Sequence, residues 1–486
     1  MILSNKSNLT KNLNKSNRIK ASIMGFVVGD ALGVPVEFQS RNILKRKKVK
    51  EDLKDMEEYG THNQPKGTWS DDTSMVLATM DAIVNTPIDD MNTYTMFKNI
   101  LDAFLNWKIN SKYTPFNNVF DIGNSTNYSL TNYKNKKEKY NENIINDSKL
   151  EELINCGYDD ISSNGNGSLM RILPLAIYGN MLILDDNLFK NFIYTGSSLT
   201  HSHIYSKIGC FIYSKYIEYL LDGINPKDAY ILLKKWFNNC DVLKGDKEIT
   251  LNIYKRILVD DISNLGEKEI KSSGYIVDTL EAVMWTILTT NNYKDALLKA
   301  VNLGDDTDTI GALTGGLAGL IYGFDEIPQE WLKVIQKKDY VSELINKFIN
   351  KLNDYDKYLY EEDEIATRKS WKILDMPNET KKIKLDLKLT KENLTKLKKG
   401  HIPKEMEDHW FAFYENNKFY IYRSWTGICL YIVDIQEDGT ILSAIVNRNI
   451  EQYNNTNDLD DIKSIKHLIY WYAGERKKSI QILNEK

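Results

Sequence analysis

The sequence predicts a mainly α chain with a small α+β unit at its C-terminal end. Three observations carry this. From about Ser22 to Asn350 apolar residues recur at i, i+3 and i+4, and proline is rare, with 9 in the whole chain of 486 residues. After Tyr340 charged residues take over, as in Tyr360-Glu361-Glu362-Asp363-Glu364. From about Trp371 onward the pattern turns to short runs of aromatic and β-branched residues.

Taken in order, residues 1–17 are polar and basic and read as a flexible tail, 18–350 as the helical body, 351–370 as a charged linker and 371–486 as the α+β unit. Within the body, Asp72–Asn85, Met96–Trp107, Ser206–Asp222 and Lys227–Phe237 have the spacing of amphipathic helices. Ser70-Asp71-Asp72 and Asn225-Pro226 mark helix starts. The stretch Asn127–Lys149, rich in Asn, Lys, Glu and Tyr, has little periodicity and reads as an exposed insertion or frayed loop. Gly311, Gly315, Gly319 and Gly323 recur every four residues. Glycine costs ~1 kcal/mol at a helical site, so this row should pack closely against a neighbouring backbone. In the last unit, Trp410–Tyr414 and Phe419–Arg423 flank an Asn-rich turn as a hairpin. Gly427–Ile435 and Ile441–Val446 add strands, and Asp458–Ala473 closes as a helix.

Charge and composition exclude several classes. Lys and Arg number 63 against 67 Asp and Glu, a net −4, which argues against a whole-chain nucleic-acid binder without closing that option. The four cysteines, Cys156, Cys210, Cys240 and Cys429, form no CxxC pair, so neither a zinc knuckle nor a disulfide scaffold is expected. Asp30 interrupts the first apolar stretch and Glu37 closes it, and Ile310–Phe324 falls short of the ~20 residues a spanning helix needs. A soluble, cytoplasmic monomer with no membrane partner is the expectation.

The chemistry concentrates in two acidic clusters, each just before a helix: Gly67-Thr68-Trp69-Ser70-Asp71-Asp72-Thr73 and Gly304-Asp305-Asp306-Thr307-Asp308-Thr309. One such residue is explained by N-capping. Several carboxylates in one turn repel one another, and a divalent cation removes the repulsion. Hard oxygen donors without nearby Cys or His suit magnesium, manganese or calcium rather than zinc. Capping and metal binding both remain open from spacing alone, and the presence of two clusters favours a binuclear site. A third feature, Asn164-Gly165-Asn166-Gly167-Ser168-Leu169-Met170-Arg171, is a glycine-rich loop entering a helix-like segment that ends near Pro174. Its N–H groups suit a phosphate, although a plain turn explains it equally well. In Leu199-Thr200-His201-Ser202-His203, histidines at i and i+2 would diverge on a helix and share no metal.

In this order, together with Gly25-Phe26-Val27-Val28-Gly29-Asp30-Ala31-Leu32-Gly33-Val34-Pro35-Val36-Glu37-Phe38, these motifs resemble the ADP-ribosylglycohydrolases, the group that includes the dinitrogenase reductase-activating glycohydrolase. The resemblance covers roughly Arg18 to Asn350. It implies an all-α helical bundle around a cleft with two divalent metal ions, Mg2+ or Mn2+, and the C-terminal α+β domain is an addition of unassigned role. Carried over by position, it implies metal ligation by Ser70, Asp71, Asp72, Asp306, Asp308 and Thr309. It places Glu37 near the cleft entrance. Gly165, Asn166, Gly167 and Ser168 would wrap the diphosphate and distal ribose, and His201 would line the ADP-ribose groove. Glu37, Asp71 and Asp306 are the candidates for activating water. Asp305 stands where the family often has a second glycine, and Ser70 where some branches have threonine.

The implied activity is metal-dependent hydrolysis of the bond between ADP-ribose and an acceptor. The expected substrate is an ADP-ribosylated protein side chain, arginine first. A non-catalytic ADP-ribose-binding or structural protein on the same fold, and a hydrolase of ADP-ribosylated nucleic acid or small molecules, are the alternatives. A two-metal phosphoesterase is disfavoured by the Gly-Asn-Gly and Thr-His motifs.

Overall fold

The computed structural model describes residues 15–47, 53–87, 94–139, 147–182, 186–240, 242–361, 365–403, 409–455, 457–475, 478–479 and 482. The chain divides into two units, Met1–Asn353 and Asp354–Lys486.

Two helices nearly 300 residues apart in sequence interlock at the centre of the first unit. Helix α1 (Lys15–Gly33) carries Gly25, Gly29 and Gly33, and a second helix (Thr307–Tyr322) carries Gly311, Gly315 and Gly319. A Cβ added at Gly29 would lie 2.1 Å from the Gly311 carbonyl oxygen, and one at Gly315 would lie 2.1 Å from that of Gly25. Only glycine permits this approach. Polar groups close the seam: Ser22 Oγ donates to Gly316 O at 2.8 Å, and Thr307 Oγ1 to Gly33 O at 2.8 Å. The expected packing partner of the glycine row is thus a matching row on α1. Gly323 is not part of it, because it ends the helix with φ +89°. Helix α1 and the turn after it are long and apolar enough to cross a membrane by length and composition, and nearly all of that window is buried within the body.

The Thr307–Tyr322 helix of this pair is α5; α2 (Asp71–Asn85) and α4 (Ile204–Leu221) pack against the pair, and α3 (Asn124–Lys139) lies further out. Further helices cover Tyr94–Asn110 and Pro226–Asn239, matching the expected amphipathic segments. Two local expectations change. Lys15–Asn17 of the expected tail already belong to α1, while residues 1–14 lie outside the described set. The stretch expected as a loop is helical over Asn124–Lys139, because Thr126, Ser129, Leu130 and Tyr133 bury one stripe at i, i+3, i+4 and i+7. Residues 140–146 lie outside the described set. The helix-like segment after the glycine loop is a 3-10 helix, Asn166–Arg171, that ends just before Pro174 as expected, and Pro174 sits in the first turn of the next helix, Leu173–Leu182, where its missing N–H costs nothing.

Helix α6 (Lys338–Glu361) continues into the stretch expected as a linker. The second unit is a five-stranded antiparallel sheet of order β1-β5-β4-β3-β2, with β1 Thr380–Lys388, β2 Trp410–Glu415, β3 Lys418–Arg423, β4 Cys429–Ile435 and β5 Thr440–Asn447. Asn416 and Asn417, both at positive φ, make the two-residue turn of the β2–β3 hairpin. One sheet face buries Leu385, Ile421, Val433 and Ala444 beneath α7 (Lys391–Leu397) and α8 (Asp458–Tyr472). The other holds a smaller cluster of Ala366, Phe411, Phe413 and Tyr422.

Candidate active site

The first acidic cluster is anchored from α1. The buried Asp30 carboxylate accepts from Ser70 N at 2.9 and 3.1 Å and from Thr73 N at 3.0 Å. Burial pushes its pKa up to about 6. Ser70 is the N-cap of α2, its Oγ accepting from Asp72 N at 3.2 Å. Asp71 and Asp72 therefore occupy the first turn, buried, and Asp71 lines a shallow open cleft with Trp69, Phe120 and Asp121.

The second cluster is held against Glu37 by backbone. Gly304 at φ +80° and Asp305 at φ +61° turn the chain into α5. Asp305 N donates to Gln39 O at 2.8 Å, and Phe38 N to Asp305 O at 2.7 Å. Aspartate tolerates this left-handed conformation, so the turn forms despite the departure from glycine. Its product is proximity: carboxylate oxygens of Glu37, Asp306 and Asp308 lie within 4.8 Å of one another. Thr309 Oγ1 reaches Asp72 Oδ1 at 3.5 Å and joins the two clusters.

These groups share one buried, negatively charged volume. Burial first, then neighbouring carboxylates, raises the pKa of Asp71, Asp72 and Asp308 well above the usual range. Burial raises Asp306 too, against a hydrogen bond from Asn166, and raises Glu37 to about 7. Asp72 Oδ2 and Asp306 Oδ1 are buried without a hydrogen-bond partner among the described residues. Orphaned anionic oxygens in a carboxylate cluster fit a hard divalent cation.

The glycine loop meets the second cluster directly. Asn166 Nδ2 donates to Asp306 Oδ2 and to Thr279 Oγ1, each at 2.9 Å, and Asn166 N to Gly274 O at 2.9 Å. Gly165 and Gly167 remain partly exposed. Ser168 differs from its neighbours. It is fully buried, with its hydroxyl beside Ser197 Oγ at 3.0 Å and Cys210 Sγ at 3.4 Å. His201 packs on the loop, and a Cβ at Gly167 would lie 2.8 Å from its Cε1. Burial, with the Arg171 charge, lowers the His201 pKa to about 3, so the ring is neutral. His203 turns elsewhere, to Asn164 at 2.9 Å and to the N-cap position of α4.

Three residues of this constellation were not singled out as site residues from the sequence. Asp30 reads as an interruption of an apolar stretch, and only the contact with α2 gives it a purpose. His62 Nε2 is hydrogen-bonded to Glu37 Oε2, and its ring lies between Phe38 and Phe120 at centroid distances of 5.8 and 5.2 Å. Asp121 joins Glu37 and His62 in a second group that could hold a cation. Asp121 is far from either motif in sequence, and His62, although only five residues before Gly67, is marked by no local spacing.

With this geometry in place, the comparisons with known proteins define the class. The family model of ADP-ribosylglycohydrolase matches residues 11–357, so the chain belongs to that family. An ADP-ribosylarginine hydrolase Tri1 of Pseudomonas putida (strain GB-1) is 30% identical, over 71% of this chain and 82% of the relative. The protein of the same name from Serratia proteamaculans (strain 568) is 28% identical, over 68% and 78%. The ADP-ribosyl-[dinitrogen reductase] glycohydrolase of Rhodospirillum rubrum is 26% identical, over 66% and 91%. A solved ADP-ribosylglycohydrolase-related protein complex covers 70% of this chain and 99% of its own, with a TM-score of 0.53 at 21% identity, a likeness of fold. The chain is an enzyme of ADP-ribose hydrolysis, with a C-terminal region beyond the family domain.

Proposed function

We propose that this enzyme is a metal-dependent hydrolase that removes ADP-ribose from a modified protein side chain, with arginine as the acceptor. The carrying observation is the Asn166–Asp306 hydrogen bond, which joins a phosphate-type glycine loop to the acidic cluster in one site. The arginine acceptor is supported by relatives named ADP-ribosylarginine hydrolase.

Ser70, Asp71, Asp72, Asp306, Asp308 and Thr309 would hold two divalent ions, Mg2+ or Mn2+. Once bound, these would chelate the ribose hydroxyls and polarise water. The protein's own groups do the remainder. The partly exposed backbone of Gly165 and Gly167 and the neutral His201 ring receive the diphosphate. Asn166 keeps the loop and Asp306 in fixed register. Glu37 has one oxygen tied to His62 and the other left for water. With a pKa of about 7 it accepts a proton from the attacking water near neutrality, as the C1 centre of the ribose gains oxocarbenium character.

The test is ADP-ribose release from ADP-ribosylarginine and ADP-ribosylserine proteins with magnesium, manganese or chelator. Metal-dependent release from the arginine substrate is the expected result. Release from serine alone would reassign the acceptor. Tight ADP-ribose binding with no release from either substrate would favour a binding protein.

A further inference from the structure

We propose that Arg171 and Thr200 form a relay that fixes the tautomer of His201, so that Nε2 always presents its proton to the Gly165–Gly167 loop. They are positioning residues, and the consequence for ligand binding rests on the assignment of that loop to ADP-ribose.

Arg171 is fully buried beneath the loop, over the Phe104 ring at 5.0 Å. It makes no carboxylate contact among the described residues, and its Nε and Nη1 have no partner there. Its Nη2 donates to Gly196 O at 3.0 Å and to Thr200 Oγ1 at 2.7 Å. Thr200 Oγ1 lies 2.9 Å from His201 Nδ1. A guanidinium only donates, so the hydroxyl oxygen accepts from Arg171. The hydroxyl proton then has one acceptor among the described residues, Nδ1. If Nδ1 carried the imidazole proton, that hydroxyl proton would be buried and unsatisfied, which proteins avoid. Nδ1 therefore accepts. Burial and the Arg171 charge keep the ring neutral, so its single proton sits on Nε2. Nε2 hydrogen-bonds to no protein atom among the described residues, and it lies 3.2 Å from where a Gly167 Cβ would stand. The relay thus presents a donor, never a lone pair, to an anionic group on the loop.

The first test needs no ligand. In the full-length chain with 15N-labelled histidine, multiple-bond 15N–1H spectra report the tautomer, and His201→Gln identifies the signal. The expected spectrum has a bare Nδ1 and a protonated Nε2. A proton on Nδ1 in the wild type overturns the proposal, whatever becomes of the variants. Thr200→Val should mix or reverse the tautomers and weaken ADP-ribose binding about tenfold, and Thr200→Ser should restore both. In a His201→Gln background, Thr200→Val should cost nothing further. An equal loss in both backgrounds would mean a merely structural role and overturn the relay. If the wild type showed the expected tautomer yet bound no ADP-ribose, the functional reading would fall and the relay would stand.

Discussion

The Asp30 carboxylate, on the helix of the central glycine seam, accepts the backbone N–H of Ser70 at the start of the helix that bears Asp71 and Asp72. One acidic residue therefore ties the packing centre of the body to the first acidic cluster. A charged acceptor for two backbone donors is worth more than a neutral one. Asp30→Ala should destabilise the protein by about 2 kcal/mol and lower metal affinity by disordering the first turn of α2. Asp30→Asn should lie between. Denaturant melts and metal titrations measure both, and an Asp30→Ala protein with unchanged metal affinity would separate the cap from the site.

Asp71→Ala and Asp306→Ala should abolish turnover, by about two orders of magnitude or more, while the fold survives. Each removes one buried like charge, so the metal-free melting temperature should hold or rise. Single-turnover ADP-ribose release and thermal melts settle this. Near-normal activity in either variant would refute the two-metal assignment.

Stability of the metal-free protein should fall as pH rises from about 4 to 7. Glu37 near 7 and Asp30 near 6 hold their protons more tightly than the same groups in an unfolded chain, which titrate at about 4. Their stabilising effect is full below that unfolded value and is lost as pH passes through 6 and 7. Saturating Mg2+ or Mn2+ supplies the missing positive charge and should flatten the slope. Melting temperatures across this pH range, with and without chelator, give the result. An identical slope in both conditions would contradict a cation at the carboxylates.

Gly29→Ala should destabilise by about 3 kcal/mol or more, because its Cβ would meet the backbone of Gly311, which cannot step aside. Gly316→Ala, on the same helix as Gly311, meets only side chains at 3.3 Å and beyond, and should be nearly neutral. Equal costs for the two would mean that the seam is not set by backbone approach.

How much of this was legible in the sequence follows the range of the signals. Local chemistry was readable. Ser70 as an N-cap, the helix starts at both acidic clusters and the Asn416-Asn417 hairpin each depend on a few adjacent residues. The glycine row on α5 was readable as a packing face, but its partner was not, because α1 lies almost 300 residues away. Helix α3 escaped because Asn and Lys dominate it and only four residues hold its buried stripe. Glu37, His62 and Asp121 converge only in three dimensions, so no spacing announces them. Ser168 looks like its loop neighbours in sequence, yet its hydroxyl bonds into the body beside Ser197 and Cys210.

The glycine seam also governs when the site comes into being. Arg18 and Leu320, joined across it at 2.9 Å, are 302 residues apart, and Asp306 and Asp308 sit at the start of the later helix. Contacts of such sequence separation form slowly, after the loop-closure entropy has been overcome. During synthesis the first acidic cluster emerges long before the second, with nothing to complete it. On the proposed assignment, a nascent chain would therefore have half a metal site until the last helix of the pair is made and docks. On that assignment activity would appear in one step, when this later helix docks on the first.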